Sequence, residues 1–336
     1  MRDAAPVVHG GTDALGVPAH DFSTNRNACG PCPLALAALQ AAHAAQYPDP
    51  AYTALRQRLG DFHGVEAQRI VLAGSASEFI YRISAHAWRS GLRQVVFPQH
   101  SYGDYAQAAS VWGLGQGTGA PALHWACEPS SPLGQADPAL AQWHGAAPAG
   151  LRVLDCAYQP LRLDDQARVI PPGVWQVWTP NKALGMTGVR AAYALAPEGA
   201  AAQVAALQAL APSWVVGAHG VAMLQAWTTP EVQQWLDHSR AQLAQWKAAQ
   251  MALCAALGWQ VAPGSLANYF VAHWPAALQG QLPQRLAWLR REHGIKLRDA
   301  ASFGLAGAVR LGVLPPASQQ ALATGWRAAQ SIEWAP

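Results

Sequence analysis

Lysine is nearly missing from this chain. Only Lys182, Lys247 and Lys296 occur in 336 residues, and arginine supplies almost all the remaining positive charge. Charge of either sign is scarce, at 12% of residues with a net charge of +3. No run of Lys and Arg marks a nucleic-acid face, and no 18-residue apolar stretch marks a membrane span. The twelve histidines show neither HxxxH nor HxH spacing, so no metal site is expected. The five cysteines are an odd set, and Met1 to Pro6 lacks the apolar core of a secretory signal. Both point to a reducing cytoplasm. What is abundant is apolar, at 51%, which excludes disorder and implies a compact globule. The fifteen tryptophans are expected in core and subunit-interface packing.

In a chain this sparing with lysine, Lys182 needs a reason. It follows an apolar run, Val174 to Trp178, and precedes a Gly-rich turn that ends at Arg190. A partly desolvated amine favours its neutral, nucleophilic form, as a Schiff-base lysine requires. The competing reading is a surface lysine in a loop.

Cys29-Gly30-Pro31-Cys32 spells a thioredoxin-like redox tetrapeptide. Thioredoxin-like domains are much shorter than this chain, and their motif follows a buried strand. Here the polar stretch Asp21 to Asn27 precedes it. The glycine and proline are therefore expected to shape a turn and the cysteines to be incidental.

Residues 1–32 read as an extended arm. Helices are expected at Leu34–Ala45 and Tyr52–Phe62, separated by Tyr47-Pro48-Asp49-Pro50. Strand-like runs then alternate with helical ones. The strands are Ile70–Ala73, Gln94–Phe97, Leu123–Ala126, Leu151–Leu154 and Val174–Trp178. The helices are Glu78–Arg89, Tyr105–Trp112 and Pro138–Trp143. This alternation implies βαβ units and a mainly parallel sheet. From about Ala200 to Leu257 the chain reads as long helices. A strand at Tyr269–Ala272, a helix at Leu282–Arg291 and strands at Ile295–Leu297 and Ala308–Val313 suggest a small α+β domain.

Ligands of such sheets lie at the carboxyl ends of the strands. Gly74 to Glu78 follows the Ile70 strand and opens a helix, as a phosphate loop or as a plain cap. Asp155 ends the Leu151 strand, as a cap or as partner of a protonated ring nitrogen. Tyr158 follows three residues later, and Tyr102 offers an aromatic plane. With Lys182 and Arg190 this set matches the needs of pyridoxal phosphate: an amine, an acid, a ring to stack on and an anion cradle.

On these residues the sequence resembles the fold-type I pyridoxal-phosphate enzymes of the aspartate aminotransferase superfamily. It is most similar to the group of threonine-phosphate decarboxylases of cobalamin synthesis and histidinol-phosphate aminotransferases. The resemblance is carried by His9-Gly10-Gly11, Asp21-Phe22-Ser23 with Asn25 and Asn27, Gly30-Pro31, Tyr47 to Pro50, Gly74 to Glu78, Thr179 to Arg190, and the arginines Arg298 and Arg310. It implies an α/β fold: a large domain with a mostly parallel seven-stranded sheet, plus a small α+β domain. Residues 1–40 would be an arm joining the small domain, 41–225 the large cofactor domain, and 226–336 the small domain.

The resemblance also implies roles. Lys182 would bond to the cofactor and shuttle protons. Asp155 would hold the ring nitrogen's proton, Tyr158 would donate to the ring oxygen, and Tyr102 would stack on the ring. Gly74, Ser75, Ala76, Thr179 and Arg190 would hold the cofactor phosphate. Tyr47 would reach in from a second subunit, making a homodimer with shared sites. Arg310 would hold the substrate carboxylate, with Arg298, His9, Gly10 and Asn25 on the rest of a phosphorylated amino acid. Two departures stand out. Ser131 replaces the asparagine expected at the ring oxygen, and Asn181 replaces a serine of the phosphate cup. The implied reaction is decarboxylation of L-threonine O-3-phosphate. Amine transfer on a phosphorylated amino compound is the alternative, and a binding protein that has lost catalysis is a third reading.

Overall fold

The computed structural model describes residues 9–118, 121–164, 166, 169–332 and 334. The arm supplies a two-residue strand, β1 (His20–Asp21). A central sheet follows, made of β2 (Ile70–Ala73), β3 (Gln94–Val96), β4 (Gly115–Gln116), β5 (Ala122–Cys127), β6 (Gly150–Asp155), β7 (Val174–Trp178) and β8 (Ala192–Leu195). Its order is β2-β8-β7-β6-β5-β3-β4. β8 runs antiparallel to both neighbours, and the other pairings are parallel. The carboxyl ends of β2, β3, β5, β6 and β7 therefore lie along one edge.

The C-terminal part adds β9 (Gln260–Val261), β10 (Tyr269–His273), β11 (Ile295–Lys296), β12 (Arg298–Asp299) and β13 (Ala308–Gly312). Four of these make an antiparallel sheet in the order β12-β13-β10-β9, while β11 pairs in parallel with β1 of the arm. The arm is thus stitched to the C-terminal part by backbone hydrogen bonds.

The helices needed below are α1 (Pro33–Gln40), α2 (Thr53–His63), α3 (Ala76–Arg89) and α4 (Gly103–Val111). In α3, Phe79, Ile80, Ile83 and Ala87 are buried. That spacing makes one apolar stripe of a 3.6-residue helix, and it packs with Tyr105 and Ala108 of α4 over Val95, Leu123, Trp125, Val153 and Trp175. Core packing absorbs much of the tryptophan. Trp259, Trp274 and Trp326 form a cluster with ring centroids 4.6–5.6 Å apart.

The structure departs from the sequence expectation in several places, among them the short strands β4, β9 and β12, which were not expected. The first helix ends at Gln40 rather than near Ala45, and Ala42 N–H already turns back to Leu39 O. β8 was not expected, because Ala192-Tyr193-Ala194-Leu195 is poor in β-branched residues. Pairing on both sides and complete burial impose the strand there, overriding local preference. Asp49 explains the break between the first two helices. Its carboxylate accepts from Ala51 and Thr53 N–H at 3.0 and 2.8 Å, closing the turn that starts α2.

Candidate active site

Asp155 is the last residue of β6 and lies in register with Cys127 of β5 and Val177 of β7. Its Oδ1 accepts from Ala157 N–H at 2.9 Å, and its Oδ2 accepts from the Tyr105 hydroxyl at 2.7 Å. Burial first, and the neighbouring Asp155 second, push the Tyr105 hydroxyl well above the usual phenol range, so it keeps its proton. The sequence reading gave Tyr105 only as the start of a helix and not as a site residue. Helical spacing marks it only as a core position.

Lys182 lies in the turn after β7, with Nζ 5.2 Å from the centroid of the Tyr158 ring. The Tyr158 hydroxyl accepts from Asn25 Nδ2 at 3.4 Å. The arm braces this turn from below. Asn27 N–H donates to Lys182 O at 2.8 Å, Asn27 Nδ2 to Ala183 O at 2.9 Å, and Cys32 N–H to Leu184 O at 2.9 Å. A Cβ on Gly30 would stand 2.8 Å from Leu184 O, and one on Gly185, whose φ is +70°, would stand 2.9 Å from Gly30 Cα. Backbones this close admit only glycine. Cys29 and Cys32 are free thiols. Their tetrapeptide packs under the lysine turn, a placement the sequence reading did not give.

Small and polar residues gather at the start of α3. Ser75 Oγ caps the helix by accepting from Glu78 N–H at 3.0 Å, leaving Ala76 and Ser77 on the cavity. Ser77 Oγ lies 3.1 Å from the Tyr102 hydroxyl. Gly74 and Ser75 stand just behind the wall; Gly74 N–H donates to the Glu78 carboxylate at 3.1 Å. Thr179 and Asn181 also line the cavity, but the Thr179 hydroxyl donates to Asn181 Oδ1 at 2.8 Å. Asn181 Nδ2 in turn donates to Val189 O at 3.2 Å, next to Arg190, another lining residue. The amide that replaces the expected serine therefore organises the loop between Lys182 and Arg190.

The opposite wall carries two arginines. Arg298 and Arg310 face each other directly across β12 and β13. Arg310 donates to Ser23 O at 3.1 Å and to Ser131 Oγ at 3.5 Å. Its Cζ lies 5.7 Å from the Tyr269 ring and 5.5 Å from the Phe303 ring, and Arg298 Cζ lies 4.6 Å from Phe303. Burial, then the like charge of Arg310, lowers Arg298 to about 10. His100, on the loop that carries Tyr102, meets Phe303 O at 2.6 Å through Nδ1. The carbonyl accepts only, so that nitrogen bears the proton.

The arm completes the enclosure. Asp21 accepts from the hydroxyls of Ser23 and Thr24, and Ser23 Oγ accepts from Gly11 N–H at 2.8 Å. Beyond it, Asp13 is clamped by Arg290 at 2.8 Å and Lys296 at 3.0 Å.

The cavity measures about 700 Å3. It brings together His9, Gly10, Asn25, Ala76, Tyr102, Ser131, Asp155, Tyr158, Thr179, Lys182, Arg190, Arg298 and Arg310. Of the residues singled out from sequence, Gly74, Ser75 and Tyr47 are not on its wall. Tyr47 is 77% exposed and stacks on Trp214 at 4.3 Å. Ser77, Thr187 and Ser302 are wall residues that sequence reasoning did not find. Among the described lining residues, Lys182, Arg190, Arg298 and Arg310 are cationic, and Asp155 is the one carboxylate. Asn25 Oδ1 and Arg310 Nε are buried with no hydrogen-bond partner among the described residues.

A family model described as aminotransferase class I and II matches residues 119–325. Histidinol-phosphate aminotransferase 2 of Burkholderia mallei is 27% identical over 323 residues, covering 86% of this chain and 88% of that one. The histidinol-phosphate aminotransferase of Rhodospirillum centenum is 27% identical over 354 residues, covering 96% and 95%. Among solved structures, histidinol-phosphate aminotransferase from Sinorhizobium meliloti, in complex with pyridoxal-5'-phosphate, superposes with a TM-score of 0.76 at 20% identity over 91% of this chain and 90% of that one. L-Threonine-O-3-phosphate decarboxylase from Porphyromonas gingivalis gives 0.73 at 18% identity over 89% and 94%. At these identities the two superpositions speak for the fold.

Proposed function

This chain belongs to the aminotransferase class I and II family, and on that premise we propose that it decarboxylates L-threonine O-3-phosphate. The cofactor is pyridoxal 5'-phosphate. The residues present fit it, because a lysine, an acid at a strand end, a helix N-terminus and an arginine face one cavity. When bound, the group supplies an aldehyde for the substrate amine and a ring that withdraws electrons from Cα.

The chain's own residues then have definite tasks. Lys182 would hold the cofactor's aldehyde carbon and would supply the amine that moves a proton at Cα. Asp155 would keep the proton on the ring nitrogen by accepting a hydrogen bond from it. Tyr102 would stack on the ring, and Tyr158 would donate to the ring oxygen. Ala76 and Ser77 N–H groups, with Arg190, take the cofactor phosphate.

The observation that carries the substrate reading is the charge of the cavity. After Arg190 is assigned to the cofactor, the cavity lining still holds Arg298 and Arg310, opposed across two strands. A small amine with two anionic groups, one carboxylate and one phosphate, suits that pair. The arm residues His9, Gly10 and Asn25 line the same cavity, and these belong to the stretch whose pattern resembles the decarboxylase group. Tyr47, outside its own chain's cavity, is assigned to the site of a second subunit in a homodimer.

The test is incubation with L-threonine O-3-phosphate and no oxo-acid acceptor, with carbon dioxide release measured beside Lys182→Ala. Sustained release that the variant lacks supports the decarboxylase. The names of the curated relatives favour a second reading, amine transfer. Its signature is no carbon dioxide, but amine transfer from histidinol phosphate to 2-oxoglutarate.

A further inference from the structure

We propose that Tyr105 is a positioning residue for the cofactor ring, setting both the acid at its nitrogen and the aromatic on its face. This rests on the cofactor reading above. The hydroxyl acts on Asp155: it donates to Oδ2 at 2.7 Å while Ala157 N–H holds Oδ1 at 2.9 Å. With one fixed donor on each oxygen, the plane of the carboxyl group is set, and each oxygen keeps acceptor capacity for a further partner. The ring acts on Tyr102: the two centroids are 5.9 Å apart at 86°, an edge-to-face contact. Tyr102 is held at its far end by Ser77, at the start of α3.

Tyr105 is itself immobilised. It is fully buried, and its ring stacks on Trp125 of β5 at 4.5 Å and 12°. One rigid side chain on α4 thus joins the end of β6, the middle of β5 and the tyrosine facing the cavity. Packing alone does not explain the hydroxyl. Phenylalanine would fill the same volume without the cost of burying a polar group. The hydroxyl is explained by its acceptor, and burial keeps its proton in place.

A double-mutant cycle tests the assignment. The dissociation constant of pyridoxal 5'-phosphate is measured by fluorescence quenching for wild type, Tyr105→Phe, Asp155→Asn and the double variant, each checked for folding without cofactor. Losing a hydrogen bond to a charged group should weaken wild-type binding roughly ten- to a hundredfold. In the Asp155→Asn background the same change should matter far less. A purely structural role predicts additive losses, and additivity overturns the proposal. A second readout is the nitrogen resonance of cofactor labelled with 15N in the ring, which should move in Tyr105→Phe; a wild-type resonance with wild-type affinity also overturns it. If the Phe variant does not fold, the wild type still decides. The buried Tyr105 hydroxyl proton should give a slowly exchanging signal that shifts on cofactor binding, and an unmoved signal counts against the role. Failure of wild type to bind the cofactor overturns the cofactor reading and this inference with it. Binding with additive losses overturns the inference alone.

Discussion

Asn27 N–H donates to Lys182 O at 2.8 Å, so the N-terminal arm and the lysine turn form one unit although 155 positions separate them in the chain. The closest approach in this brace is at Gly30. A methyl group there would stand 2.8 Å from Leu184 O, and neither backbone has a flexible side chain to move aside. Gly30→Ala should therefore cost about 1–3 kcal/mol of stability. It should also lower turnover, because relief requires moving the turn that carries Lys182. Thermal melting and steady-state rates measured together check this. A variant with wild-type melting and wild-type rates would show that the brace is dispensable.

Arg310 lies between the Tyr269 and Phe303 rings, which suits a planar guanidinium better than a compact ammonium. Arg310→Lys keeps the charge and loses the fork. The expected result is a KM for L-threonine O-3-phosphate raised by about tenfold or more, with cofactor content unchanged. Equal KM values in the two proteins would remove Arg310 from substrate binding.

His100 ties the loop bearing Tyr102 to the turn bearing Phe303. His100→Ala removes that tie. A neutral hydrogen bond contributes about 1 kcal/mol, so KM should rise several-fold while kcat changes less. His100→Asn retains an N–H donor and should recover part of the loss. If alanine and asparagine behave alike, the hydrogen bond is not the reason the residue matters.

His63 is half-buried against the rings of Phe62, Trp178 and Tyr193, and desolvation lowers it from 6.5 to about 4. Between those values the unfolded chain binds a proton that the folded chain does not. Its contribution to stability is therefore complete above pH 6.5 and declines as pH falls toward 4, by about 1.4 kcal/mol per unit and about 3 kcal/mol in all. Urea unfolding at pH 7 and pH 4.5 should show this decline in wild type and a shallower one in His63→Gln. Parallel slopes in the two proteins would assign the acid sensitivity to other groups.

Much of the large sheet was legible because βαβ units repeat a simple signal. Short β-rich runs such as Val174–Trp178 alternate with amphipathic helices such as α3, and that pattern is local. β8 was not legible. Its alanines prefer no strand, and only the slot between β2 and β7 makes them one. Asp155 and Lys182 could be picked out because one ends a strand and the other follows one, each with an uncommon side chain for its place. Tyr105 could not, since one core aromatic on a helix looks like any other until its hydroxyl is seen on Asp155. The role of Asn181 was likewise hidden. The sequence shows a missing serine, and the structure shows an amide that ties Thr179 to Val189.

By itself the sequence determined the alternation of elements, the lysine, acid and arginines available for chemistry, and the resemblance that named a cofactor. Those depend on residue type and spacing along a few turns of chain. Only the tertiary structure decided that Arg298 and Arg310 stand opposite one another and that His9, Gly10 and Ser23 to Asn25 line the same cavity as Asp155. It alone showed that Cys29 to Cys32 is a brace under Lys182. Such relations depend on strand register and on backbones meeting across more than a hundred residues. Sequence spacing carries no measure of either.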